Sequence, residues 1–463
     1  MGFKRKEKGK SLKFLLIVLL CIVVVGSGGW LLWTKFEGRG PDIRLDLEKQ
    51  VLGEVTEVSG TIQDNRSGVR KLWVGLIQDG EETLLFEETF AKAETKPGMP
   101  EKPVPFNFSI DAQKLGLTDG DAVLRLAAWD NSWRDWWKGN RTYIEKEIVF
   151  DTQPPGLAVL SRQHNVSSGG AGLVIYRLSE SCDKSGVYVG EEFFPGHSGY
   201  FDDEAIYVAL FALRYDQGKG TNIYVKAVDA AGNASQSGFY HFIREKRFNK
   251  DVLAISDRFL EWKMPEFASS MEELQDPSLI DQFLYVNQTL RKKNNQRILS
   301  VGQDTENKFF WQGAFGRLPN SARRASFADH RVYQHNGAVI DRAVHMGIDL
   351  ASVQHAPVPA ANAGKVAFAG EIGIYGNTIM IDHGFGLFSV YSHLSRLSVG
   401  TGDVVAKNEI IGNTGITGLA GGDHLHFGMF IDHVYVNPTE WWDADWIKNN
   451  ITAKLENIKS LDN

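Results

Sequence analysis

Two short stretches of the chain hold residues whose types and spacing suit a metal ion. His424 and His426 flank Leu425, so in a strand both imidazoles share one face while Leu425 occupies the other. His345 and Asp349 are separated by an even number of positions and therefore also share a face in an extended segment. Three nitrogen or oxygen donors and one open position are what a catalytic zinc ion requires. We therefore expect a zinc site built from His345, Asp349 and one histidine of the pair.

A further group must handle protons, because the helical His-Glu-x-x-His motif with its glutamate base is absent from the chain. Zinc lowers the pKa of a bound water molecule from about 15.7 to about 7 and polarises a carbonyl group. Hydrolysis also needs a side chain that accepts a proton or stabilises the oxyanion. His393 and the remaining histidine of the pair are the candidates for that role.

The composition limits the class of protein and of metal site. The 463 residues include 43% apolar and 23% charged side chains, as in ordinary globular proteins. The formal net charge of -7 argues against a nucleic-acid partner, for which a basic surface is expected. Cys21 lies in an apolar N-terminal run, so it cannot form a disulfide bond with Cys182 in a folded ectodomain. Zinc must therefore be bound by histidine and carboxylate.

The N-terminus predicts a membrane anchor. Residues 1–13 form a basic tail, and residues 14–33 are an uncharged run long enough to span a bilayer as a helix. The basic flank places the N-terminus in the cytoplasm and the rest of the chain outside. A cleaved signal peptide is the alternative, since Gly26, Ser27 and Gly28 are small residues near a cleavage point. We favour the anchor because the apolar run exceeds that of a signal peptide.

Two β-rich modules are expected next, at residues 41–150 and 151–247. Both contain short alternating apolar runs separated by Gly, Asn, Asp and Ser, which is typical of β-sandwiches. Pro154 and Pro155 lie between them and favour a boundary there. The modules resemble bacterial immunoglobulin-like domains. One tryptophan cluster could stack on sugars, but we expect it to serve packing; its members are Trp129, Trp133, Trp136 and Trp137.

The remaining chain divides into three segments. Residues 248–302 have a helical apolar pattern and predict a helical linker. Residues 303–445 are glycine-rich with short β-branched runs and hold most of the histidines, and residues 446–463 are a C-terminal tail. The predicted fold class is mainly β, with a transmembrane helix, two sandwich modules, a helical linker and a C-terminal β-sheet domain.

The C-terminal domain resembles the lysostaphin-type, or LytM-type, group of zinc metalloendopeptidases, which cut peptidoglycan peptides. The resemblance covers residues 315–438. Five motifs occur in the order of that group, at residues 345–351, 376–384, 391–395, 412–415 and 424–428.

The resemblance implies a fold and a role for each site residue. The implied fold is a small antiparallel β-sheet domain of the duplicated hybrid motif type, with a groove lined by residues 328–341 and 419–422. His345, Asp349 and His426 match the ligands of one zinc ion. His424 and His393 match catalytic residues that orient or deprotonate water and stabilise the oxyanion.

We therefore expect a single-pass protein of the cell inner membrane, anchored through residues 14–33, with its C-terminal domains in the periplasm or outside. It would hydrolyse peptide bonds in stem or cross-link peptides of peptidoglycan, and its β modules would dock to the wall or to cell-wall or division proteins. The alternatives are a non-catalytic adaptor that activates a partner hydrolase, and a structural wall-binding protein. A further hypothesis is autoinhibition by residues 322–334, with His330 as a fourth zinc ligand.

Overall fold

The computed structural model describes residues 8–47, 49–91, 102–272 and 274–462. Residues 1–7, which belong to the predicted cytoplasmic tail, lie outside the described residues. The chain divides into two compact units. Unit 1 comprises Met1–Pro154 with Ala230–Asn233, and unit 2 comprises Pro155–Asp229 with Ala234–Asn463.

The predicted apolar N-terminal segment is a helix, α1 (Lys8–Lys35). Its stretch Lys13–Trp33 is long and apolar enough to cross a membrane, and a signal sequence would have the same properties. The large apolar side chains of this stretch are exposed in the structure, for example Phe14, Leu20 and Val25. They therefore lack the packing that a helix in a soluble core would have.

Unit 1 contains eight described strands and two further short helices. The strands are β1 (Asp42–Asp46), β2 (Val51–Leu52), β3 (Val55–Gln63), β4 (Val69–Gln78), β5 (Glu81–Thr89), β6 (Val104–Asp111), β7 (Gly120–Asp130) and β8 (Arg141–Phe150), and the helices are α2 (Ala112–Leu115) and α3 (Arg134–Trp137). The strands form two sheets, ordered β1-β3-β6 and β2-β8-β7-β4-β5.

The two sheets of unit 1 share one core. Alternate side chains of β3, β4 and β7 are buried in it, including Val58, Leu72 and Leu124. This period of two is what a half-buried strand requires. Trp136 and Trp137 are 85% and 64% exposed, so the expectation that the tryptophan cluster serves packing is wrong for these two residues.

Unit 2 begins with the second β-rich segment. Its strands are β9 (Leu157–Val159), β10 (His164–Ser167), β11 (Ala171–Leu178), β12 (Lys184–Val189), β13 (Glu192–Pro195), β14 (Ile206–Ala212), β15 (Ile223–Val228), β16 (Ala234–Gly238) and β17 (His241–Arg244). They form sheets ordered β14-β11-β9 and β13-β12-β15-β16, and β10 pairs with β17 in parallel.

The segment predicted as a helical linker starts with a strand, β18 (Lys250–Ala254). It continues with α4 (Asp257–Lys263), a 3-10 helix (Met264–Ser270), α5 (Leu279–Tyr285), a π-helical turn (Val286–Leu290) and α6 (Arg291–Val301). Helix α5 begins with a reciprocal cap between Ser278 and Asp281. Most of the predicted helical linker is therefore helical, but its initial strand, β18, pairs with a later strand, β20 (His330–His335), in a sheet.

The C-terminal part of unit 2 consists of many strands followed by short helices. The strands are β19 (Ala322–Ala325), β20 (His330–His335), β21 (Ala338–Val344), β22 (Ile348–Ala351), β23 (Pro357–Pro359), β24 (Gly364–Ile372), β25 (Gly376–Asp382), β26 (Leu387–Leu394), β27 (Arg396–Leu397), β28 (Val404–Val405), β29 (Ile410–Asn413), β30 (Leu425–Ile431) and β31 (Val434–Val436). The helices are α7 (Pro438–Trp441), α8 (Ala444–Ile447), a π-helical turn (Lys448–Thr452) and α9 (Ala453–Asp462). A 3-10 turn, Gly373–Tyr375, separates β24 from β25.

The main sheet has the order β19-β22-β30-β26-β25-β24-β28, with β31 paired to β30. Its neighbouring strands are antiparallel. A smaller sheet has the order β18-β20-β21, and another has the order β23-β29-β27. The predicted mainly β fold class is therefore confirmed.

One continuous core joins the second β-rich segment to the C-terminal sheet. It contains Leu173 and Phe211 of the former, Phe283 of α5, and Phe427 and Trp441 of the latter. Residues 446–463, expected to be a tail, are helical over their described part and bury apolar side chains in the same core. Those side chains are Ile447, Ile451, Leu455 and Ile458.

Candidate metal centre

The middle of the main sheet brings the predicted ligands together. Asp349 of β22 lies directly opposite His426 of β30, and Ser392 of β26 lies opposite His426 on its other side. His345 occupies the turn between β21 and β22. Antiparallel pairing thus places residues from distant parts of the sequence beside each other.

Three donor atoms form a small triangle at this point. Nε2 of His345 lies 2.9 Å from Oδ1 of Asp349 and 3.0 Å from Nδ1 of His426. The third side, from Nδ1 of His426 to Oδ1 of Asp349, is 3.0 Å. All three residues are buried. Two imidazole nitrogens and one carboxylate oxygen at this separation are a donor set that suits zinc.

Neighbouring groups keep these donor atoms unprotonated, which is the form that binds a metal ion. Nδ1 of His345 lies 3.0 Å from the carbonyl oxygen of Ser326, and if it donates there, Nε2 is free for a metal. Burial lowers the pKa of His426 to about 4, so its imidazole is neutral at pH 7. Burial alone would raise the pKa of Asp349, but the neighbouring imidazoles, chiefly His345, hold it well below its usual range. The donor set therefore fits zinc in charge as well as in position.

Arg331 orients the carboxylate of Asp349. Its Nη2 atom donates to Oδ2 of Asp349 at 2.7 Å, while Oδ1 faces the imidazoles. Nε of Arg331 also lies 3.8 Å from Oδ2 of Asp251 on β18. The two oxygens of Asp349 are thus assigned to different partners, as expected for a carboxylate that binds a metal through one oxygen. Arg331 lies in the expected groove segment 328–341, but the sequence did not indicate its bond to Asp349.

His393 and His424 lie beside the donor triangle with their rings facing each other. Their ring centres are 4.8 Å apart, and Nε2 of His424 is 3.6 Å from Oδ1 of Asp349. Nδ1 of His393 lies 2.9 Å from the carbonyl of Thr417, and Nδ1 of His424 lies 2.8 Å from that of Gly422. In each ring, a proton on Nδ1 leaves Nε2 as the acceptor.

The backbone and the electrostatics of these two histidines differ. His393 has a φ of 64°, a left-handed conformation that costs on the order of 1 kcal/mol for a non-glycine residue and is common at functional sites. Burial lowers the pKa of His393 well below its usual range. Burial also lowers the pKa of His424, but the carboxylate of Asp349, 3.6 Å from Nε2, outweighs it and raises the pKa.

A glycine allows close packing at the triangle. A Cβ atom on Gly347 would lie 2.6 Å from the ring of His426 and 2.8 Å from the carbonyl oxygen of Phe427. Contacts this short would force the ring or the backbone to move. Gly347 therefore lets the turn after His345 pass directly over His426.

The centre opens into a cavity of about 320 Å³, here called the site cavity. The five predicted site residues line it. Both expected groove segments also contribute, with Arg331 and Tyr333 from residues 328–341 and Leu419 and Gly421 from residues 419–422. Its other walls come from elements that sequence reasoning did not connect with the site: Ala254 of β18, Phe259 of α4, Phe283 of α5, Arg291 of α6 and Tyr375. The sequence patterns of these helices and strands do not indicate that they line the site cavity.

His330 is not placed to act as a fourth ligand. It does not line the site cavity, and its ring contacts Tyr215 with the ring centres 6.0 Å apart. Adjacent residues of a strand point to opposite faces, so Arg331 points to Asp349 and His330 points away. The hypothesis of autoinhibition through His330 is therefore wrong.

One segment of unit 2 matches a known family. Residues 343–438, which include all five predicted site residues, match the model of Peptidase family M23. The chain carries a peptidase family M23 domain. The predicted resemblance to the lysostaphin-type group is thereby confirmed for this segment.

Three relatives show how far the similarity of the M23 domain extends. The DD-carboxypeptidase/endopeptidase Mpg of Neisseria meningitidis serogroup B is 43% identical over 95 residues, 20% of this chain and 22% of Mpg. The peptidoglycan DD-endopeptidase ShyC of Vibrio cholerae is 32% identical over 127 residues, 27% of this chain and 29% of ShyC.

An uncharacterized metalloprotease of Haemophilus influenzae is 27% identical over 227 residues, 44% of this chain and 46% of that protein. The chain thus spans less than half the length of each of these three relatives.

Proposed function

We propose that the chain is a zinc-dependent endopeptidase, in which His345, Asp349 and His426 hold one zinc ion. The observation that supports this is the donor triangle, with Nε2 of His345, Oδ1 of Asp349 and Nδ1 of His426 separated by 2.9 to 3.0 Å. These ligand atoms lie close enough together to share one ion. The M23 match gives independent support, because peptidases of this family are metallopeptidases.

The chemistry that a bound zinc ion supplies is Lewis acidity, which acidifies water and polarises a carbonyl group. His393 and His424 supply the rest. Each ring has Nδ1 near a backbone carbonyl, so Nε2 can accept a proton from the attacking water. Once protonated, either ring can donate to the charge that develops on the carbonyl oxygen. Peptide hydrolysis would then need no covalent intermediate with the protein.

The proposed substrate is a stem or cross-link peptide of peptidoglycan. The support is the M23 domain itself and its similarity to Mpg, which is named a DD-carboxypeptidase/endopeptidase, and to ShyC, which is named a peptidoglycan DD-endopeptidase. The adaptor alternative is less well supported, because an adaptor needs no proton-transfer residues beside the donor triangle. Here His393 and His424 are both present and oriented.

The test is hydrolysis of purified sacculi by the full chain in detergent micelles, with released muropeptides identified by mass. We expect cleavage that a chelator abolishes and added zinc restores, and no cleavage by His426→Ala. His330→Ala is the matched control, because His330 is a nearby histidine outside the site cavity. Cleavage that persists in His426→Ala would refute the zinc mechanism, and absence of cleavage by the wild type would favour the adaptor.

We also propose that α1 anchors the protein in the inner membrane, with the M23 domain on the outer side. The support is the apolar stretch Lys13–Trp33 and a substrate that lies outside the cytoplasm. The mass of the mature protein in the membrane fraction distinguishes an anchor from a cleaved signal. Loss of the first residues up to about Gly28 would contradict the anchor.

A further inference from the structure

Unit 2 contains a second and larger cavity, outside the M23 match. Its volume is about 1160 Å³, against about 320 Å³ for the site cavity, and the two share no lining residue in the described part of unit 2. One wall is formed by residues near β10 and β17 of the second β-rich segment. The other is formed by α8, the π-helical turn and α9. This volume is above the range of about 300 to 1,000 Å³ that is usual for ligand pockets, so more than one sugar or amino-acid unit fits.

The charged residues of this cavity are all cations. Arg162, Arg244 and Lys454 line it, and no carboxylate does among the described residues. In a chain with a net charge of -7, a surface depleted of acids is unusual. We call it the cationic cavity. Cations gathered without counter-charges favour an anionic ligand.

Lys454 is the buried cation of this cavity. Its side chain is 7% exposed, and Nζ donates to the carbonyl oxygen of Leu173 at 3.0 Å. Among the described residues, no carboxylate contributes to the pKa shift of Lys454, for which burial is the cause. Burial lowers its pKa to about 8. A buried ammonium group without a counter-charge is costly, and such groups are found at binding sites.

The remaining polar groups of the cationic cavity are mostly amides. Asn449, Asn450 and Asn457 line the helical wall, and Gln163 and Asn165 line the opposite wall. An amide side chain both donates and accepts hydrogen bonds, so it matches sugar hydroxyl and acetamido groups.

An aromatic residue completes the lining on the helical side. Trp446 is half-buried and lines the cavity beside the amides. Aromatic rings combine an apolar face with low conformational entropy, which favours contact with the flat apolar face of a sugar ring. Cations, amides and an aromatic ring together favour a glycan that carries carboxylates over a purely acidic peptide.

We propose that the cationic cavity binds peptide-free stretches of the glycan strands of peptidoglycan, whose lactyl carboxylates are free, at a site separate from the peptidase centre. This rests on the proposed function only in that peptidoglycan is the substrate. The glycan would be held by Arg162, Arg244 and Lys454 through its carboxylates, and by the amides and Trp446 through its sugars. A stem peptide carried by other units of the same polymer would enter the site cavity.

The test is binding of fluorescent, peptide-free strands of N-acetylglucosamine and N-acetylmuramic acid to the full chain in detergent micelles. These strands keep the lactyl carboxylate but contain no peptide bond, so their binding does not depend on hydrolysis. We expect the double variant Arg162→Gln/Arg244→Gln to bind about tenfold more weakly, since each arginine donates charge-assisted hydrogen bonds. Lys454→Met should also bind more weakly.

The control is the double variant Lys219→Gln/Arg396→Gln, which removes two exposed cations of unit 2 that do not line the cationic cavity. It should bind the strands like the wild type. Chitooligosaccharides, which lack carboxylates, and polyglutamate, which lacks sugars, should each bind at least about tenfold more weakly than the strands.

Three outcomes would overturn the proposal: no binding of the strands by the wild type, equal binding by Arg162→Gln/Arg244→Gln, or binding of polyglutamate as tight as that of the strands. Because both arginines are exposed, their replacement should not prevent folding. Cleavage of intact sacculi, measured in parallel, reports the proposed function separately.

Discussion

The two cavities of unit 2 differ in the kind of charge they concentrate. The site cavity gathers groups that bind cations, namely Asp349 and the imidazoles of His345 and His426, and these face one another at 2.9 to 3.0 Å. The cationic cavity gathers cations and amides. Unit 2 thus holds groups suited to a metal ion in one cavity and groups suited to an anionic polymer in the other.

The two cavities also differ in the partner of one cationic side chain that lines each of them. In the site cavity, Arg331 donates to Asp349 at 2.7 Å, so its charge is compensated within the protein. In the cationic cavity, Lys454 donates to the carbonyl oxygen of Leu173, which carries only a partial charge. A compensated cation orients its neighbour, whereas an uncompensated one remains available to a ligand. Changes in one cavity should therefore leave the other intact.

The largest effect is expected from Asp349→Asn. The amide keeps the shape but loses the negative charge of the ligand, so zinc content should fall and hydrolysis of sacculi should drop on the order of 10³-fold. Metal analysis and muropeptide release measure the two effects. Asp202→Asn, which changes an exposed carboxylate elsewhere in unit 2, should change neither. Weaker binding of peptide-free glycan strands by Asp349→Asn would contradict the separation of the two cavities.

A smaller effect is expected from His393→Gln and His424→Gln. If these residues move protons and do not bind the metal, zinc content should stay near that of the wild type while kcat falls about 10²-fold. Zinc analysis beside steady-state kinetics distinguishes the two roles. Loss of zinc in either variant would mean that the histidine is a ligand.

The sequence predicts much of the fold because its elements have strong local periods. The apolar run became α1, and the alternating segments became strands of two β-rich regions. The strand β18 could not be predicted, because it pairs in parallel with β20, with Lys250 opposite His330. The shared core of the second β-rich segment and the M23 domain was missed for the same reason. Such pairings depend on tertiary contacts that no local pattern records.

The sequence also identified the five residues that the structure brings together, because ordered motifs contain them all. It placed Arg331 only within the expected groove segment 328–341, and it suggested His330 as a ligand instead. The choice between these neighbours depends on which face of β20 turns to the site, and a register shift after Tyr333 interrupts the pairing of that hairpin. The left-handed backbone conformation of His393 could not be predicted from the sequence either, because such a conformation is held by tertiary contacts.

Arg331→Gln tests whether a compensated cation orients the ligand. Without the charge-assisted bond to Oδ2, Asp349 should rotate more freely, and zinc affinity should fall about tenfold. Competition with a chromogenic chelator measures the affinity. Arg324→Gln is the matched control, since Arg324 is an exposed arginine of the neighbouring strand β19. Equal zinc affinities for Arg331→Gln and the wild type would mean that Asp349 is positioned by the histidines alone.

The smallest effect is expected from the pH dependence of stability at Lys454. Its folded-state pKa is about 8 and its ordinary value is 10.5, so between these values the unfolded chain binds more protons than the folded chain. The free energy of unfolding should therefore rise with pH, by about 1 kcal/mol between pH 8 and 9, and Lys454→Met should lack this rise. Thermal unfolding followed by tryptophan fluorescence at the two pH values measures the difference. Equal slopes in both proteins would show that the ammonium group is compensated after all, and the contrast between the two cavities would fail at its decisive residue.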